Sequence, residues 1–278
     1  MESLVAGQEK SEFNRKQRPF LSLVQNLSRT SAVVRVASIV VTIGVWEWFG
    51  RQIDPLFFSY PTAIAAAIPN MIRTGELQSA AVLSLRSLSV GFLLSTILGI
   101  GLGLLMGRYR TLNTALDSQL TALYATPYVT LIPLIILWFG LGFEAKVVIV
   151  VLASVFPLLI NTRDGVRNVS KNLIEIARAE KANERQVFTK IILPASTPQI
   201  MTGIRLGIGR AIVGMIVGEM FTAITGLGGA IVYYGNQFRT DKLLVIVIVL
   251  ALFATALTET AKIIENRVAA WKQTERGV

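Results

Sequence analysis

Few side chains in this sequence could do chemistry. It has no histidine and no cysteine. That removes thiol nucleophiles, disulfides, Cys/His zinc sites and histidine general bases together. What remains is a handful of ionised residues and prolines set inside apolar sequence. Arg205, Arg210 and Glu219 fall within one apolar run, and Glu47 within another. Ionised groups at such places rarely face lipid; they line a cavity or find a partner. Arg205 and Glu219 are fourteen residues apart, about 21 Å along a helix axis, so they cannot pair with one another. Glu219 reads as a gate or path residue, or as half of a structural ion pair. An intramembrane enzyme would need paired carboxylates, and only Glu47 and Glu219 are placed for that role. A third apolar run carries Ala125-Thr126-Pro127-Tyr128-Val129-Thr130-Leu131-Ile132-Pro133. Each proline removes a donor and clashes with the preceding turn, so the helix ladder is expected to break twice. Carbonyls freed in this way must be satisfied by protein, water or solute. Such a break suits a translocation path, although proline kinks also occur in proteins that transport nothing.

The elements that hold these residues follow from composition. Of 278 residues, 53% are hydrophobic and only 16% are charged, against about 25% in soluble domains. No soluble globule hides that much apolar side chain, and disorder is excluded for the same reason. The reading is an all-α membrane protein. A bilayer-crossing helix needs roughly 20 mostly apolar residues, and six stretches qualify: 33–49, 83–106, 116–139, 146–161, 199–222 and 243–264. The formal charge is +10, which in a soluble protein would suggest nucleic acid. Here the basic residues flank the apolar runs, so no nucleic-acid partner is expected. Most of them gather before the first run, between the second and third, in the long loop 163–193 and after the sixth run. The positive-inside rule then places both termini and that loop in the cytoplasm. Residues 1–32 are expected to form a cytoplasmic segment without a cleaved signal, since they lack a short apolar stretch with a small-residue cleavage site. Residues 33–268 form the membrane domain and 269–278 a cytoplasmic tail. After Ser59-Tyr60-Pro61, Thr62 is expected to cap a short amphipathic helix at the outer surface.

Two further patterns stand out. Gly99, Gly103 and Gly107 share one face of the second span, and Gly203, Gly207, Gly214 and Gly218 form a stripe on the fifth with Arg210 near it. Small faces of this kind allow close helix packing in lipid. The loop 163–193 has two short apolar faces at helical spacing, Leu173, Ile174, Ala177 and Val187, Phe188, Ile191. Asn183 followed by Gln186 makes a capping box for the second. The pair reads as a cytoplasmic docking element or as an amphipathic hairpin on lipid headgroups.

The run Glu175-Ile176-Ala177-Arg178-Ala179-Glu180-Lys181-Ala182-Asn183, ending at Ile192-Leu193-Pro194, resembles the EAA loop of importer permeases of the ATP-binding cassette (ABC) superfamily. Leu131-Ile132-Pro133-Leu134 through Leu137-Trp138-Phe139-Gly140-Leu141-Gly142 is similar to the third-span signature of the nitrate/sulfonate/taurine-type subfamily. Phe156-Pro157, Thr202-Gly203-Ile204-Arg205, Glu219-Met220 and Gly226-Leu227-Gly228 extend the likeness.

The resemblance implies the type I ABC importer permease fold with six transmembrane helices. It implies a multi-pass subunit of a bacterial plasma (inner) membrane. Its partners would be a second permease copy, two cytoplasmic ATPase subunits and an external solute-binding protein. The coupling residues would be Glu175, Ala177, Arg178, Lys181, Ala182, Asn183, Val187, Leu193 and Pro194. The path would be lined by Tyr124, Pro127, Tyr128, Pro133, Arg205, Glu219 and Met220. No Gly-x-x-x-x-Gly-Lys-Ser/Thr loop is present to cradle phosphates, so ATP and Mg belong to the partner ATPase and this chain is a non-catalytic subunit without a cofactor. A passive channel without ATPase coupling is the alternative. Three departures matter. Ile176 stands where the family has the first alanine of its motif. Lys181 stands where the family has glycine, and a lysine in the left-handed turn of that position would cost roughly 1 kcal/mol. Tyr124 and Tyr128 stand in a region where the family often shows an arginine. Those tyrosines suit a solute with apolar or aromatic character better than nitrate or another small oxyanion, or serve only to pack.

Overall fold

The computed structural model of the chain describes residues 33–268. The expectations for 1–32 and 269–278 lie outside the described residues. The chain divides into two compact units at Ala65/Ala66, and the division falls inside a helix.

In the first unit, α1 (Val33–Gly50) is long and apolar enough to cross a membrane. Its last turns hold Glu47, whose carboxylate accepts from the Thr62 amide (3.0 Å), the Thr62 hydroxyl (2.7 Å) and Arg51 (2.7 Å). Thr62 is therefore not the cap of the helix that follows. That helix, α2 (Pro61–Arg73), starts one residue earlier, with Pro61 where a missing N–H costs nothing. The Glu47 carboxylate takes the capping role, a favourable charge at a helix N-terminus.

The second unit is built on α3 (Glu76–Arg108), α6 (Phe143–Arg167) and α9 (Leu193–Phe221). α6 packs along both of the others, and the glycine stripes are the reason. A Cβ on Gly103 would lie 2.6 Å from the Thr162 Cβ, and one on Gly214 would lie 2.6 Å from the Ala153 Cβ. No side chain fits at either contact, so the backbones of α3 and α9 rest directly on α6. α11 (Thr240–Val268) covers part of α9. Five described helices are long and apolar enough to cross a membrane.

The sixth crossing differs from the expected kinked span. α4 (Arg110–Ala125) and α5 (Ile132–Phe139) meet at 85°, joined by a 3-10 turn over Tyr128–Leu131. They make one crossing only if the bent pair is counted as a single span. The ladder breaks once, at Thr126-Pro127, where both residues are extended. Pro133 does not break it again. It stands in the first turn of α5, where its lost donor has no intrahelical partner to lose. Gly140, left-handed at φ 74, ends α5.

The other spans run beyond their expected ends. α3 begins at Glu76, α6 reaches Arg167 and α11 reaches Val268, because a helix persists past the hydrocarbon where hydropathy carries no signal. The fifth span has a longer prelude. A short turn α8 (Glu184–Gln186), a π-helical turn (Val187–Ile192) and α9 form one 38-residue rod, Glu184–Phe221. After α9 comes α10 (Gly226–Asn236), a short helix packed on α3, α9 and α11.

Candidate functional site

The elbow between α4 and α5 opens a cavity of about 310 Å³. Tyr124, Pro127 and Tyr128 line it, with Phe156 from α6 and Arg210 from α9. The Tyr124 and Phe156 rings stand 5.7 Å apart. The 3-10 turn after Pro127 holds its own backbone, the Thr130 amide donating to the Pro127 carbonyl at 2.9 Å. Below the turn, Ile132 and Ile135 are sealed against Ala145 and Ile149 of α6, which fixes the elbow on the unit's core. Counted from their N-terminal ends, Ala125 and Arg210 stand about 23 and 26 Å along their helices. Ala125 is thus the last residue of α4, and Arg210 stands just past the middle of α9. Arg210 is exposed. It stands at the edge of the glycine stripe, and its long side chain lines the cavity instead of the α6 contact.

Of the seven path residues expected from sequence, three line this cavity and four do not. Pro133 lies within α5. Arg205 pairs with Glu265 of α11 at 2.8 Å, and Thr202 donates to the same carboxylate at 2.7 Å. Met220 is near the end of α9, 37% exposed. Glu219 is 1% exposed. Its Oε2 accepts from the Ser84 hydroxyl and from the Gly228 amide, both at 2.8 Å. Ser84 in turn accepts from the Leu227 amide at 2.8 Å. The carboxylate thus fastens the first turn of α10 to α3 and α9, and it does not line the elbow cavity. The structural reading of Glu219 fits this geometry, although its partners are not an ion pair. Arg210 is noted from sequence as an ionised residue within the fifth span but is not among the expected path residues, and for Ser84 no local signal exists.

α10 is held at its far end too. Tyr234 donates to Glu76, which also accepts from Lys242 at 3.0 Å. Burial and the neighbouring Glu76 carboxylate push the Tyr234 phenol well above its usual range.

The loop 163–193 holds the second candidate site. α7 (Lys171–Ala179) ends in a Schellman motif: the Ala182 amide donates to the Ala177 carbonyl (3.0 Å) and the Lys181 amide to the Arg178 carbonyl (2.9 Å). This motif needs a left-handed residue between its two bonds, and Lys181 supplies it at φ 58. The left-handed turn is present, and a lysine carries its strain. Asn183 then forms the expected capping box, with reciprocal bonds of 2.9 and 2.8 Å to Gln186. Arg178 bridges the two helices through Glu184 at 2.9 Å. Val187, 1% exposed, anchors the π-helical turn, and the Arg108 guanidinium lies 4.7 Å over the Phe188 ring, tying the end of α3 to it. Leu193 opens α9, with Pro194 in its first turn. Glu175, Lys181 and the apolar Leu173 and Ile176 are exposed on the outside of the hairpin.

A bundle of long apolar helices, a broken span beside a cavity and a patterned exposed hairpin define a multi-pass membrane transport subunit. Residues 95–270 match the family described as binding-protein-dependent transport system inner membrane component. Over 86% of this chain and 93% of its own length, a protein of Escherichia coli named for aliphatic sulfonate transport, SsuC, is 33% identical. The taurine transport system permease protein TauC of Escherichia coli is 27% identical over 88% of this chain and 91% of its own. A chain of the MetNI methionine ABC transporter, solved in inward-facing conformations, shares the fold with a TM-score of 0.62 at 17% identity, covering 69% of this chain and 95% of that one. The chain belongs to the binding-protein-dependent transport system inner membrane component family. It is a plasma-membrane permease subunit of an ABC importer, non-catalytic itself, and works with a separate ATPase and a solute-binding protein.

Proposed function

We propose that this permease admits small organic anions of the sulfonate class through a path at the α4–α5 elbow, and that the hairpin 163–193 is driven from the cytoplasm by the partner ATPase. The termini then lie in the cytoplasm, as the basic flanks favour. A second copy of this chain completes the path, and two ATPase subunits bind ATP and Mg below. This chain holds neither.

The observation that carries the coupling is the unbroken rod Glu184–Phe221. Its first residues belong to the hairpin, and Arg210 on the same rod lines the elbow cavity. A displacement of the hairpin is therefore passed along one continuous helical stretch to a wall of the cavity. Leu173, Ile176 and Glu175 form the surface presented to the ATPase. The relatives named for sulfonate and taurine transport, and a cavity that combines aromatic walls with one cation, support the solute class.

The chain has no native cysteine, so Ile176→Cys gives a single reactive thiol. In the assembled transporter it is expected to cross-link to the ATPase subunit and to be protected from a membrane-impermeant label in right-side-out vesicles. In proteoliposomes, uptake is expected to require ATP and the binding protein. ATP-independent uptake would make the chain a passive facilitator. An Ile176→Cys thiol labelled from outside would reverse the orientation.

A further inference from the structure

We infer that Arg210 is a specificity-determining residue: its guanidinium, with the hydroxyls of Tyr124 and Tyr128, forms a transit site for the anionic group of the solute at the elbow. This inference rests on the solute class proposed above.

Three observations converge on it. Arg210 stands near mid-span, where an ionised side chain is expensive unless it meets water, a counter-charge or a substrate. Its neighbour Arg205 has a counter-charge in Glu265, 2.8 Å away. Among the described residues no carboxylate bonds Arg210. The side chain is exposed. Second, Arg210 is the one charged residue lining the elbow cavity, and no acidic residue lines it. Third, the rest of the lining divides into what an organosulfonate needs. Phe156, Leu152 and Val129 are apolar, while the Tyr124 and Tyr128 hydroxyls can donate to an oxyanion; the Thr126 hydroxyl is spent on the Ala122 carbonyl. A guanidinium presents several N–H donors in a planar fork that suits a polyoxygen anion. The cavity, about 310 Å³, stands at the small end of ligand sites, which run from about 300 to 1,000 Å³.

Passage needs an anion to be held but not trapped. Two features favour this. Arg210 has no second cation beside it in the cavity, and it rides on the rod that the hairpin moves. Rotation or tilt of α9 changes its distance from Tyr128, so the donors that surround the anion in one state are separated in the next.

The test is uptake of radiolabelled ethanesulfonate by the complete transporter in proteoliposomes, with the partner ATPase and binding protein present. Arg210→Gln is expected to lower the maximal uptake rate at least about tenfold, the effect of deleting a charge-assisted donor. Arg210→Lys is expected to recover part of the rate, and Arg210→Glu to abolish it. The half-saturating concentration of the loaded binding protein should move little, because the loss lies in passage and not in docking. Uptake by Arg210→Gln within about twofold of the original chain would overturn the inference and leave the proposed function standing. A transporter whose binding protein takes only cations or uncharged solutes would overturn both. If Arg210→Gln and Arg210→Lys both fail to assemble on size exclusion, Arg210 is a subunit-interface residue and the inference falls.

Discussion

Ser84 and Glu219 are 135 residues apart, yet the Ser84 hydroxyl donates to the Glu219 carboxylate across 2.8 Å inside the bundle. The same two side chains receive the amides of Gly228 and Leu227, so one hydroxyl and one carboxylate satisfy the opening turn of α10. Ser84→Ala removes a donor from a buried charge and an acceptor from a backbone amide. The expected loss is about 1.5–3 kcal/mol, read as a lower unfolding temperature of the purified chain in detergent. Glu219→Gln, which keeps an acceptor oxygen, should cost less than Glu219→Ala. An equal effect of the two would mean that the carboxylate contributes only its volume.

Lys181 holds a left-handed conformation at φ 58 because the two Schellman bonds around it require one. Lys181→Gly relieves that strain and is expected to stabilise the hairpin by about 1 kcal/mol. Lys181→Pro, fixed near φ −65°, is incompatible with the turn and is expected to abolish ATP-dependent uptake. Hydrogen exchange across residues 171–187 reads the first change as slower exchange, and transport assays read the second. Faster exchange in Lys181→Gly would show that the lysine side chain contributes more than its backbone costs.

Features set by neighbours in sequence were legible before the structure. The Asn183/Gln186 capping box, the strained position of Lys181 and the glycine spacing on α3 and α9 are local patterns, and each is found where its pattern places it. The elbow was only half legible. Two prolines promise two breaks, but a proline in the first turn of a helix breaks nothing, and telling Pro127 from Pro133 requires knowing where α5 begins. The partners of buried charge were not legible at all. Ser84 and Glu265 are ordinary helix residues until α3 lies against α10 and α11 against α9. The glycine stripe drew Arg210 toward the packed face on a helical wheel, while in the bundle it borders the cavity.

Close backbone contact predicts opposite outcomes for two glycines two residues apart. A Cβ on Gly103 would fall 2.6 Å from the Thr162 Cβ and 2.7 Å from the Leu159 carbonyl oxygen, whereas one on Gly101 would meet nothing within 4 Å. Gly103→Val is expected to destabilise by about 1–3 kcal/mol through overpacking. Gly101→Ala should be neutral or stabilising by roughly 0.5–1 kcal/mol, since alanine is the better helix former. Chemical unfolding of both variants in the same detergent decides it. Similar losses in both would mean that α3 also packs through its Gly101 face.

The Arg205–Glu265 pair joins α9 to α11, and Thr202 adds a second bond to the same carboxylate. Glu265 is the more enclosed partner, 17% exposed against 38% for Arg205. The cost of breaking the pair therefore depends on which side is removed. Arg205→Ala leaves a largely enclosed carboxylate with only the Thr202 hydroxyl, and the expected loss is about 1–2 kcal/mol, reduced from the fully sealed case by the exposure of the arginine. Glu265→Ala leaves a guanidinium that can turn outward, so it should cost less. In a double-mutant cycle, Arg205→Ala with Glu265→Ala should fall short of the sum of the single losses by about 1 kcal/mol. The complete transporter supplies the second readout. If α11 only braces the rod, the double variant regains the ATP-dependent uptake that Arg205→Ala loses. If Arg205 itself contacts the solute, uptake stays low whatever stands at 265.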